Sequence, residues 1–273
     1  MILMSTKLTF ISLFSGAGGF KIGFENVGFK CLLSSDIEKT SELTHLKNFK
    51  NSPFLKKDIR TIKVDEILKL TRNKKPDVII GGPPCQGFSV MGDKNSSDPR
   101  NELFKSYVSL INDLKPKCFV FENVKGLSTM YNGQFLEELK NDLSNCGYDI
   151  HFKVINAFDY GVPQLRERVF IVGTKLNRNF DFPKPCKEKS GNIKSFKNVK
   201  EAIFDLINKD KKFANHLPLN HSDTVIRRYK MIKEGEKLPS PERLPKEIRR
   251  KNFGNTYVRL HRQNPAPTMV PGN

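Results

Sequence analysis

A doubly wound α/β domain followed by a smaller basic domain is the fold class that this 273-residue sequence predicts, and three observations predict it. Residues 1–175 alternate short apolar runs rich in β-branched residues with stretches of helical periodicity, the pattern of a parallel sheet wrapped by helices. Ser15-Gly16-Ala17-Gly18-Gly19 lies between the first run and the first helix, where nucleotide-binding folds place a tight turn. From residue 176 the alternation stops, and Pro183, Pro185, Lys/Asn-rich stretches and short amphipathic pieces such as Val199–Ile207 replace it. The predicted domains are therefore residues 1–175 and 176–273.

In chain order, Leu8–Phe14 reads as a strand and Phe20–Val27 as the start of a helix, with a second strand near Lys30–Ser34. Asp36 follows 20 residues after Gly16, the spacing at which such folds set an acid on ribose hydroxyls. Asp58 comes after the next polar break, where a helix N-cap for Ile59 onward is an equally good reading. Asp77–Ile80 is a buried strand ended by Gly81 and Gly82. Asp98–Lys115 carries apolar residues at helical spacing, Leu103, Tyr107, Leu110, Ile111 and Leu114, which mark a core face. Cys118–Phe121 is a further strand, ended by Glu122-Asn123-Val124. Gly133–Cys146 reads as an amphipathic helix, and Tyr148–Ile155 and Arg168–Val172 as strands joined by Asn156–Glu167.

The charge narrows the partners. Formal net charge is +18, which suggests a polyanion such as nucleic acid. It is unevenly spread: residues 176–273 hold 22 basic and 10 acidic side chains, a net +12, against 25 and 19, a net +6, before them. The five cysteines are odd in number, widely spaced and without a CxxC pair, so neither a disulfide framework nor a metal site is indicated, and a cytoplasmic setting fits. No run reaches the ~20 apolar residues of a membrane span.

Cys85 stands apart from the other four. It follows a predicted buried strand on a loop stiffened by Pro83 and Pro84, just beyond the strand's carboxyl end, where open α/β sheets bind their ligands. An arbitrary lone cysteine is most often a small buried apolar residue. A thiol held on such a loop is instead a candidate nucleophile.

The string Pro83-Pro84-Cys85-Gln86-Gly87-Phe88-Ser89 resembles the catalytic loop of the DNA cytosine-5 methyltransferases, bacterial restriction-modification type. Three further stretches resemble that family's signatures in the same order: the Phe14 to Gly19 loop, Glu122-Asn123-Val124, and Gln164-Leu165-Arg166-Glu167-Arg168. The resemblance implies a Rossmann-like S-adenosylmethionine-dependent sheet with a small target-recognition domain. It implies that Phe14, Gly16, Gly18 and Gly19 line the methionine moiety of the cofactor, that Asp36 holds its ribose, that Asp58 faces the adenine amine, and that Ile59 and Pro83 also belong to the cofactor site. Ile37 occupies the position where the family often stacks a bulky or aromatic residue on the adenine.

By the same resemblance, Cys85 adds to carbon 6 of a cytosine, Glu122 contacts N3 and the exocyclic amine, Arg166 donates to the base carbonyl, and Arg168 supports the site. The implied partner is double-stranded DNA with the target base flipped out, since the ring cannot be reached inside a stack. Gln86, Ser89 and Arg100, on the loop after the nucleophile, are expected to contact DNA, and Arg227, Arg228, Arg249, Arg250, Lys251 and Arg259 to meet chiefly phosphates.

Arg259-Leu260-His261-Arg262 with Pro265-Ala266-Pro267-Thr268 resembles the segment that organises the family's small domain. Family members continue beyond it into a helix that returns to the large domain, so a separate C-terminal subunit or segment completing the fold is an expectation. Competing readings are a tRNA cytosine-5 methyltransferase, an inert DNA-binding relative, and a nicotinamide-dependent oxidoreductase. The first typically shows Cys-Phe-Thr, whereas the one Cys-Phe here is Cys118-Phe119, inside a predicted strand. The second is disfavoured by the joint presence of Cys85, Glu122 and Arg166, and the third leaves the cysteine loop and the basic third unexplained.

Overall fold

The computed structural model describes residues 7–84, 101–176, 180–186, 198–209, 216, 219–249 and 257–269. The chain divides into two compact units, residues 1–155 with 168–182, and residues 156–167 with 183–273. A single cut after residue 175 was the sequence expectation. The observed division instead assigns the connector 156–167 to the second unit, because its short strand pairs there.

The first unit begins with β1 (Thr9–Leu13), α1 (Gly19–Asn26), β2 (Lys30–Asp36), α2 (Lys39–Asn48) and β3 (Phe54–Lys56). It continues through α3 (Val64–Leu70), β4 (Val78–Gly81), α4 (Asn101–Leu114), β5 (Cys118–Val124), α5 (Gln134–Asn145) and β6 (Asp149–Asn156). The connector contributes β7 (Gln164–Leu165), and β8 (Glu167–Thr174) returns to the first unit. The sheet order is β3-β2-β1-β4-β5-β8-β6, parallel from β3 through β5, with β8 antiparallel to β5.

Burial follows the period of two that strands impose. Ile11, Leu13, Leu33, Ile79, Phe119 and Phe121 face α3, α4 and α5, whose Ile67, Tyr107, Ile111, Leu114 and Leu143 are fully buried against them. Phe10, Cys31, Val78 and Ile80 face the other side, where Phe20 and Phe24 of α1 cover them. Helices on both faces make the sheet doubly wound, as expected. Tyr107 carries the largest buried side chain of α4, and its hydroxyl donates to the Val120 carbonyl at 3.1 Å. Burying such a ring is worth about 2–3 kcal/mol, and the hydrogen bond removes the penalty of an unpaired hydroxyl.

Asp77 stands just before the start of β4. Its Oδ2 accepts from the backbone N–H and hydroxyl of Thr9 at 2.8 and 2.9 Å, and its Oδ1 pairs with Lys117 Nζ at 2.7 Å. It thereby fixes the starts of β1 and β4 in register.

β5 is longer than expected. Glu122, Asn123 and Val124 do not end the strand but continue it, opposite Phe170, Val169 and Arg168 of β8. Their polar side chains look like a strand terminus in sequence; the antiparallel partner keeps the ladder going.

The second unit contains α6 (Val199–Ile203), α7 (Asp223–Lys230) and β9 (Ala266–Pro267), which pairs in parallel with β7. α6 is capped by Asn198, whose side chain accepts from the Glu201 N–H. Val199–Ile207 proves to be this short helix followed by a 3-10 turn over Phe204–Leu206. Glu234 holds Arg262 through both carboxylate oxygens at 2.8–3.0 Å and accepts the Arg262 backbone N–H at 2.7 Å.

Candidate active site

The glycine-rich turn and the ends of β1 and β2 build one pocket. Phe14, directly after β1, sits at φ 52, a left-handed conformation that costs a non-glycine residue of order 1–3 kcal/mol and is concentrated at functional sites. Gly16 and Gly18 follow at φ 51 and φ 92. A Cβ on Gly18 would lie 2.6 Å from a ring carbon of Phe49, so both conformation and space demand glycine there. The Gly16 N–H donates to Asp36 Oδ2 at 2.8 Å, and the Glu38 N–H to Asp36 Oδ1 at 3.0 Å. The 20-residue spacing legible in the sequence is thus a direct contact that ties the turn to β2.

The pocket is lined by Leu13, Phe14, Ser35, Asp36, Ile37, Lys57, Asp58, Ile59, Arg60, Pro84 and Leu103, around about 550 Å³ of space that includes its open mouth. Of the expected cofactor residues, Phe14, Asp36, Ile37, Asp58 and Ile59 stand on this wall. Gly16 and Gly18 shape the turn and Gly19 opens α1, while the buried Pro83 is held through its carbonyl. Lys57, Arg60 and Leu103 were not anticipated.

Asp58 fulfils the capping alternative as well as lining the pocket. Its Oδ1 accepts the Arg60 N–H at 3.0 Å, capping a 3-10 turn over Ile59–Thr61. The Arg60 Nε lies 3.1 Å from both carboxylate oxygens and its Nη2 bonds Oδ2. The Arg60 guanidinium holds the Asp58 carboxyl below the usual carboxylate range.

A second cluster lies where β4 and β5 end. Arg168 Nε stands 3.1 Å from Glu122 Oε1, and both side chains are mostly buried. A Cβ on Gly82 would come 3.1 Å from Glu122 Oε2, so the strand-ending glycine leaves room for the carboxylate. Next to it, the buried Asn123 donates its side-chain amide to the Pro83 carbonyl at 2.9 Å and accepts the Val124 N–H at 2.8 Å. Asn123 therefore anchors the chain two residues before Cys85. It was visible only as the middle of a motif, because its partner is 40 positions away in sequence.

Cys85, Gln86, Ser89 and Arg100 lie outside the described residues, as do Arg250 and Lys251. Among the other cysteines, burial pushes the Cys118 thiol up to about 11 and raises Cys31 and Cys146 as well, which suppresses the reactive thiolate. Among the described residues no three His, Cys, Asp or Glu side chains gather as a metal site. No described helix is long and apolar enough to cross a membrane.

In the second unit, the Arg166 N–H donates to Asn156 Oδ1 at 3.1 Å and its carbonyl accepts from the Ala157 N–H at 2.9 Å, which fixes its backbone. Arg228 corrects an expectation: it is buried, and its Nε donates to the Ile248 carbonyl at 2.8 Å. It braces α7 internally rather than facing a phosphate. Its neighbour Arg227 is exposed, with Glu247 3.8 Å away. Arg249 and Arg259 are exposed overall, although Arg249 Nε donates to Leu244 O at 2.8 Å and Arg259 Nη1 to Ile232 O at 3.3 Å.

A sequence model described as C-5 cytosine-specific DNA methylase matches residues 8–270. The chain belongs to that family. Among curated relatives, it is 36% identical over 276 residues to the Type II methyltransferase M1.HphI of Haemophilus parahaemolyticus, covering 97% of this chain and 71% of that protein. It is 43% identical over 200 residues to the Type II methyltransferase M.FnuDI of Fusobacterium nucleatum, covering 72% and 55%. These matches lend no support to the expected separate C-terminal subunit. Among solved structures, a prophage-encoded DNA modification methyltransferase of E. coli superposes with a TM-score of 0.73 at 25% identity, over 96% of this chain and 82% of that one. Spodoptera frugiperda DNMT2 shares the fold, with a TM-score of 0.61 at 19% identity over 84% and 66%. The fold and the family thus agree on a cytosine-5 methyltransferase.

Proposed function

We propose that this methyltransferase transfers a methyl group from S-adenosylmethionine to carbon 5 of a flipped-out cytosine in a specific duplex DNA site, through a covalent adduct of Cys85 at carbon 6. The observation that carries the reading is the Glu122–Arg168 pair at 3.1 Å beside the Asn123–Pro83 clamp, immediately before Cys85 in the chain. The names of the relatives, Type II methyltransferases, favour a restriction-modification role.

The pocket suits an adenosyl group. Leu13, Phe14, Ile37, Ile59 and Leu103 offer apolar surface for a flat ring, and the carboxylates of Asp36 and Asp58 offer acceptors for hydroxyl and amine donors. When bound, S-adenosylmethionine supplies an electrophilic methyl group on a sulfonium.

Carbon 5 of cytosine is a poor nucleophile until the ring is made enamine-like. The Cys85 thiolate bonds to carbon 6, while Glu122 hydrogen-bonds or protonates N3 and holds the exocyclic amine. Arg168 keeps the Glu122 carboxylate oriented, and Arg166 donates to the base carbonyl oxygen. Carbon 5 takes the methyl group, its proton then leaves to a base, and the electron pair expels Cys85 as thiolate and restores the ring. Outside the reacting base, the exposed Arg227, Arg249 and Arg259, with Arg250 and Lys251, contribute phosphate contacts and hence salt-dependent affinity.

Incubation with S-adenosylmethionine and duplex DNA containing 5-fluorocytosine tests the reading. Fluorine blocks the final elimination, so a denaturation-resistant adduct mapped to Cys85 and lost in Cys85→Ser is expected. Absence of any adduct across DNA of diverse sequence, with the cofactor bound, would overturn it.

A further inference from the structure

The Asp58 carboxylate on the pocket wall is saturated by one partner. A carboxylate offers about four lone-pair sites. Arg60 fills them with its backbone N–H, with Nε shared between both oxygens at 3.1 Å, and with Nη2. An amine presented from the pocket therefore reaches Asp58 only by displacing the guanidinium. A second acceptor already stands beside it: Glu102 Oε2, in the first turn of α4, lies 3.6 Å from Arg60 Nη1. The other cation on this wall, Lys57, is held by Glu66 at 2.7 Å and does not compete. Arg60 and Glu102 are 42% and 61% exposed, so both side chains have room to move.

Resting on the cofactor reading above, we propose that Arg60 is a positioning residue handed from Asp58 to Glu102 when the exocyclic amine of the adenine engages Asp58. The exchange leaves each group partnered: Asp58 trades the guanidinium for a neutral amine donor, and Arg60 keeps the Glu102 carboxylate it already approaches. Leu103, next to Glu102, also lines the pocket, so the handover engages the first turn of α4. Because the initial pair opposes ligand binding, Arg60 acts as a competitor and Glu102 as the acceptor that relieves the competition.

Calorimetric titration of the full chain with S-adenosylhomocysteine, which binds without turnover, tests the handover. Arg60→Ala is expected to tighten binding two- to fivefold, and Glu102→Gln to weaken it about three- to tenfold. In the Arg60→Ala background, Glu102→Gln is expected to have no effect. Neither substitution should change affinity for S-inosylhomocysteine, in which oxygen replaces the exocyclic amine, whereas a merely structural role would move both ligands together. Weakened binding in Arg60→Ala, or an equal Glu102→Gln effect in both backgrounds, overturns the handover alone. Failure of the unaltered chain to bind S-adenosylhomocysteine overturns the cofactor reading and the handover with it.

Discussion

Arg168 reaches Glu122 across the antiparallel pairing of β5 with β8, with Nε 3.1 Å from Oε1. The two residues are 46 positions apart in sequence, and each belongs to a different motif; the strand ladder makes them neighbours. Both are largely removed from water, where an ion pair is screened little and loss of one partner strands the other.

Replacing Glu122 by Gln should lower methyl transfer about 10²- to 10⁴-fold, the range of a positioned proton donor, with little change in S-adenosylhomocysteine binding. Arg168→Ala should lower transfer as well and destabilise the first unit by about 2 kcal/mol. Arg168→Lys should recover only part of the loss, because an ammonium lacks the planar fork. Single-turnover rates and thermal unfolding separate these effects.

Gly18→Ala combines a left-handed backbone with a Cβ 2.6 Å from the Phe49 ring. The expected cost is about 2–4 kcal/mol, a fall of about 5–10 °C in Tm, with loss of cofactor affinity. Gly23→Ala in α1 is the control: nothing lies within 4 Å of its Cβ, and removing a helical glycine should be neutral or stabilising by up to about 1 kcal/mol.

Arg227 and Arg228 should respond differently although they are adjacent. Arg228→Ala leaves the Ile248 carbonyl without its donor and should destabilise the second unit by about 1–3 kcal/mol. Arg227→Ala should leave stability unchanged and reduce the slope of log affinity against log salt by about 1. Denaturant unfolding and salt-titrated DNA binding read the two outcomes.

Arg262 pulls the Glu234 carboxyl down to about 2. Because the folded value lies below the ordinary ~4.3 of a glutamate, the stabilisation is fully present above that value and is lost as pH falls from there toward 2. Arg262→Ala should therefore flatten the acid limb of stability over this window, measured as Tm against pH.

Much of this architecture was legible because its signals are local. The apolar runs at Leu8–Phe14 and Asp77–Ile80 became β1 and β4 within a residue or two, and the Gly16 to Asp36 spacing became a hydrogen bond. What escaped depends on partners distant in sequence. The extension of β5 through Val124 needs β8, and the Asn123 clamp needs Pro83. No local feature tells the buried Arg228 from the exposed Arg227: helix phase and Ile248, 20 residues on, decide it. Asp58 read equally as a cap and as a pocket acid, and it is both, since its cap partner Arg60 is also a wall residue.

Glu122 stands one residue past the end of the β4 pairing, on a stretch of β5 that continues opposite Phe170 of β8. A carboxylate on a loop moves with its backbone; one carried on a strand whose ladder continues on one side has a backbone held by that ladder, and its latitude is chiefly side-chain rotation. On the proposed mechanism the approach is then made by the target nucleotide, and stiffening the DNA backbone at the target should impair turnover more than any softening of the protein could restore.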